Sequence, residues 1–116
     1  MKNVDVNYCE LIFDQIRKSL RFRHSGKITY EEFSSSIFQT LLQAKSECWE
    51  DVIDRLDKST ILELENYASQ NPSISASMFL PGTASDREIG IRQAELDLQM
   101  LEIVEILKRT RATSNL

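Results

Sequence analysis

The segment from residue 86 to 109 carries more apolar surface than one packed side of a helix can hide. At 100° per residue, Ile91, Ala94, Leu98, Leu101 and Val104 fall on one side. Ile89, Leu96, Met100, Ile103 and Leu107 fall on an adjoining side. Together they span an arc of about 240°, whereas a surface helix needs little more than 100°. Only Glu88, Arg92, Glu95 and Gln99 make a clearly polar strip. Such a helix needs cover on two sides, from its own domain or from a second copy of itself. The expected architecture is therefore all-α, with about five helices packed as a small bundle around this hydrophobic C-terminal helix. Asp97 lies inside the arc, so its burial would require a hydroxyl or basic partner.

The remaining chain supplies the other four helices. Val6, Cys9, Ile12, Phe13, Ile16 and Leu20 recur at three- and four-residue spacing and predict a first helix from Val4 to Phe22. Arg23–Lys27 reads as a turn, with Gly26 as its left-handed residue. Thr29 and Glu32 form a capping box for a second helix striped by Tyr30, Phe33, Ile37, Leu41 and Ala44. No Gly or Pro stands between Lys27 and Asn71, so continuity into the next helix is conceivable. A break near Lys45–Glu47 is expected instead, with Ser46 capping a third helix that carries Trp49, Val52, Ile53 and Leu56. Thr60 and Glu63 read as a second capping box, opening a helix to Ser69 that Asn71-Pro72 ends. Ser85 and Glu88 cap the last helix. The expected domain spans residues 1–109, with 110–116 as a flexible polar tail.

Composition excludes several activities. With 116 residues the chain is one domain by length. A formal charge of −4 opposes sequence-independent nucleic-acid binding, which needs a positive surface. No apolar run approaches the 18 to 20 or so residues of a membrane span, and no signal peptide is visible after Met1. The expectation is a cytoplasmic protein with no nucleic-acid or membrane partner. Cys9 and Cys48 sit within hydrophobic patterns and read as reduced, buried thiols. His24 is the only histidine. With no histidine near either cysteine in sequence, and no clustered Cys and His, neither nucleophilic catalysis nor a zinc site has its parts. No enzyme activity and no cofactor are expected.

Gly26–Phe33 (Gly-Lys-Ile-Thr-Tyr-Glu-Glu-Phe) resembles the exiting half of an EF-hand calcium loop. Aligning Gly26 with the family's turn glycine places Thr29 and Glu32 at the last two ligand positions. Arg21, Arg23 and Ser25 then occupy the first three, where the family carries acidic ligands. Guanidinium groups there repel a cation, so the segment is expected to be a helix corner that does not bind calcium. The nearby basic group Arg17, Lys18, Arg21, Arg23 and Lys27 is expected to complement the negative end of the first helix.

Two surfaces remain as candidates for recognition. One combines the loop residues Met78, Phe79 and Leu80, either a plug or a hook, with Leu96, Met100, Ile103 and Leu107 of the last helix. The other is the acidic face of Glu47, Glu50, Asp51 and Asp54, suited to a basic partner. The leading expectation is a non-enzymatic protein–protein interaction module able to self-associate as a homodimer. The alternatives are an acidic, immunity-type regulatory binder and a degenerate EF-hand-like pair without calcium.

Overall fold

The computed structural model describes residues 6–113. It contains α1 (Val6–His24), α2 (Tyr30–Gln43), α3 (Trp49–Asp54), α4 (Lys58–Gln70) and α5 (Asp86–Thr113). Short 3-10 turns at Ser46–Cys48 and Ala76–Phe79 occupy two of the connections, and no strand occurs among the described residues. The all-α, five-helix architecture expected from periodicity is the one present.

Local chemistry accounts for most element ends. Gly26 has φ of 77°, the left-handed region that glycine enters without cost. Three residues later the Glu32 amide donates to Thr29 Oγ1 at 3.1 Å, and the Thr29 amide donates to Glu32 Oε1 at 2.9 Å. The two groups that an EF-hand would offer to calcium are thus spent on a helix cap. Ser85 and Glu88 repeat the arrangement at α5, with reciprocal bonds of 3.2 and 3.3 Å.

Two expected helix starts are corrected. Lys45 precedes the 3-10 turn, and Ser46, its first residue, makes no side-chain cap. What holds this corner is Trp49, whose buried indole N–H donates to the Leu41 carbonyl at 2.7 Å. That carbonyl lies in the last turn of α2, where intrahelical partners run out. The other correction is α4, which begins at Lys58 behind Asp57, the latter three residues before the expected cap at Thr60. The Asp57 carboxylate accepts from the Thr60 and Ser59 hydroxyls, and Thr60 is buried inside the helix. Glu63, freed from capping, accepts from Arg23 Nη2 at 3.1 Å.

The ends of α1 and α5 also differ from expectation. α1 runs to His24, and the expected start at Val4 lies outside the described residues. α5 continues to Thr113, so residues 110–113 are helical rather than tail. Arg111 anchors this last turn with Nε donating to Glu65 Oε2 of α4 at 2.6 Å. Residues 114–116, also assigned to the tail, lie outside the described residues.

The cysteine expectation is overturned. Cys9 and Cys48 form a disulfide, with Cα atoms 5.4 Å apart. Both are buried, as expected, yet they meet. α1 packs on α2 and α3, so the first turns of α1 come to lie over the corner that precedes α3. A sequence separation of 39 residues conceals that proximity.

One apolar core joins the elements. Ile16 of α1, Phe33, Ile37 and Leu41 of α2, Ile53 of α3 and Leu64 of α4 are fully enclosed. Phe38 stacks on Tyr67 with ring centroids 5.9 Å apart. α5, at 28 residues about 42 Å long by helical rise, lies against α2, α3 and α4.

Candidate functional site

α5 carries two apolar sides, and the fold covers only one. Leu96, Met100, Ile103 and Leu107, expected to face a partner, are buried with Ile106 in the domain core. Leu96, Ile103 and Leu107 cannot contact another protein without unfolding, and Met100 shows only a sliver of its surface, in the wall of the groove between α4 and α5. The adjoining side faces out: Ile91 is 53% exposed, Leu98 64% and Leu101 66%. Ala94 lies between them and is also exposed. Spacings of three and four residues put these four side chains in a single file along the helix. Arg87 precedes that file by one turn and Glu105 follows it.

A groove opens beside this file. Between α4 and α5, Ala68, Pro72, Met100, Leu101 and Val104 line a mostly apolar depression of about 350 Å³, with Glu65 and Lys108 at its rim. Leu101 belongs to both features, so the file and the groove form one continuous surface.

The loop before α5 is fastened rather than free. Gln93 of α5 accepts from the Ala76 amide at 2.9 Å and donates to the Ile74 carbonyl at 2.9 Å. Its amide also donates to Asp97 Oδ1 at 3.0 Å, and Ser73 donates to the same oxygen at 2.9 Å. Asp97 is exposed and satisfied by these polar neighbours, which is how it sits within an apolar arc without cost. Phe79 and Leu80 pack against the core, and the Arg92 guanidinium lies 6.0 Å from the Phe79 ring centre. Met78 alone of the three projects, at 54% exposure. The loop is a plug with one protruding side chain. Nothing in the sequence marks Gln93 for this work, because one glutamine on a polar-flanked helix has no distinguishing pattern.

The acidic face is larger than its sequence signal. Glu47, Glu50, Asp51 and Asp54 are all exposed. Asp51 accepts from Arg55 at 3.2 Å and Glu50 from Arg109 at 3.2 Å. Glu47 and Glu50 meet Glu102 and Glu105 of α5 across a groove of about 540 Å³, which Arg109 also lines. Four carboxylates and one guanidinium therefore line this groove. Neither Glu102 nor Glu105 is in an ion pair among the described residues. The contribution of α5 to this face is invisible in sequence, because about fifty residues separate the two sets. Among the described residues no group of three His, Cys, Asp or Glu side chains is placed to hold a metal ion. No described helix is long and apolar enough to cross a membrane.

The basic residues at the end of α1 are partly neutralised. Arg17 bonds Asp14 one turn earlier, and Arg23 pairs with Glu63. No protein-family model matches this chain, and neither does any curated protein or solved structure.

Proposed function

We propose that this protein is a non-catalytic protein-binding module whose docking face is the outer file of α5. The observation that carries the reading is the exposure of Ile91, Leu98 and Leu101 in line on a helix whose other side is packed. Burying a side chain of this kind stabilises by about 1.5–3 kcal/mol, a gain the isolated domain forgoes three times on one face. Aligned exposure of this sort marks interaction surfaces more often than chance scatter does. The adjoining groove offers a place for an anchoring side chain from a partner.

Photo-crosslinking tests the reading. A benzophenone side chain placed at position 98 or 101 is expected to trap the same protein partner, and one at Leu62, exposed on α4, to trap none. Absence of any adduct specific to positions 98 and 101 would remove the docking assignment.

The disulfide supports an oxidising compartment as the working environment, in place of the cytoplasmic setting expected from free thiols. Thiol alkylation under denaturing conditions at the moment of lysis of the native cells distinguishes the two. The bonded form leaves Cys9 and Cys48 unlabelled until reductant is added.

A further inference from the structure

Resting on the docking reading, we infer that the occupant of the α5 file is an amphipathic helix of another protein, with lysine or arginine along its flanks, and not a second copy of this chain. Both occupants satisfy the apolar file. An antiparallel copy would set Ile91 against Leu101 and Ala94 against Leu98, an arrangement complementary to itself. It would also set Arg87 against Glu105 twice, once at each end. The flanks decide against it.

At 100° per residue, Glu88, Glu95 and Glu102 recur every seventh residue along one edge of the file. Asp97 stands on the other edge. In the antiparallel pairing Glu95 meets its own copy near the two-fold axis, and so does Asp97. Glu88 meets Glu102 twice. Four like-charge juxtapositions stand against two favourable ones, and like and opposite pairs on helix surfaces differ in sign more than in size. Each copy also brings a formal charge of −4, which adds repulsion at longer range.

A helix with cations at those flank positions turns the same carboxylates into attraction. The acidic edge continues past the file: Glu102 and Glu105 share their groove with Glu47 and Glu50. Along it Arg92 pairs with Glu95 at 2.9 Å and Arg109 with Glu50 at 3.2 Å, while Glu102 and Glu105 are in no ion pair among the described residues. The acidic edge and the apolar file run side by side, which is the geometry that an amphipathic helix reads. Charge fixes its register and speeds its arrival, while the file and the groove beside Leu101 hold it.

A displayed library of amphipathic helices, selected on the disulfide-bonded protein, tests this. Its members carry Leu, Ile, Met or Ala at four file-facing positions and Lys, Gln or Glu at the flanks. Flank lysine is expected to be enriched about tenfold or more over glutamate, and the winners to weaken as salt rises. The double variant Glu95→Lys with Glu102→Lys is expected to reverse that preference. Equal recovery of Lys, Gln and Glu flanks would overturn the basic-partner inference and leave the docking reading standing. Failure to recover any helix better on the native protein than on Leu98→Asp would overturn both. A dimer in sedimentation equilibrium that Leu98→Asp dissociates would also overturn the inference, since the occupant would then be a second copy.

Discussion

Ser34 is fully buried in α2, and its hydroxyl has no hydrogen-bond partner among the described residues. A buried unsatisfied hydroxyl costs about 1–3 kcal/mol, and serine is a weaker helix former than alanine. Ser34→Ala is therefore expected to raise stability by about 1 kcal/mol in denaturant melts; a loss would mean that the hydroxyl is bonded in solution. Asp57 makes the opposite case. The Thr60 hydroxyl, ahead of the Ser59 hydroxyl and the backbone, holds its carboxyl below the ordinary value of 3.8, against a smaller opposing effect of burial. A depressed folded pKa means stability that is present above pH 3.8 and lost as pH falls through the lower folded value. Asp57→Asn is expected to cost about 0.3–1 kcal/mol near neutral pH, at a helix N-terminus where negative charge is favoured. Acid titrations should show a shallower fall of stability with pH for the variant, and identical slopes would refute the assignment. The place of Asp57 at the start of α4 was missed because Thr60-x-x-Glu63 offered a competing motif. A motif records which side chains are able to cap, while the backbone path into the helix selects where it begins.

At the scale of the element, α5 has two apolar sides with opposite fates. Substitution on the buried side, Leu96→Ala or Ile103→Ala, is expected to cost about 2–5 kcal/mol, because it leaves a cavity among enclosed neighbours. Leu98→Asp or Leu101→Asp on the outer file should change stability by no more than about 0.5 kcal/mol, as exposed sites usually do. Thermal melts of these four variants would separate the sides; a large loss at Leu98 would mean that the file is covered within the chain. Helix existence, the Thr29–Glu32 and Ser85–Glu88 caps and the break after α2 were all legible, since each depends on residues within a few positions of one another. The agent of that break was not. Trp49 reads as an ordinary core residue, yet its indole closes the end of α2 through Leu41.

Across the whole molecule, the Cys9–Cys48 bond ties the start of α1 to the corner between α2 and α3. Closing a loop of about 40 residues in the unfolded chain stabilises the fold by about 4 kcal/mol in the chain-entropy model, with measured effects more often 2–4. Replacing both cysteines by serine is expected to lower unfolding stability by about 2–4 kcal/mol, and melting with and without reductant should show the same gap in the native protein. Equal melting in both conditions would place the thiols apart in solution. The sequence alone determined that this chain is helical, where its five helices fall to within a few residues, and that the last has more apolar surface than one packed face requires. Periodicity and caps are local, and they survive without knowledge of what packs where. Only the tertiary structure decided which side of α5 is inside, that Cys9 meets Cys48, and that Glu102 and Glu105 join the acidic face of α3. A helical wheel gives the angular width of a face but not its orientation, which depends on where α2, α3 and α4 come to stand against it.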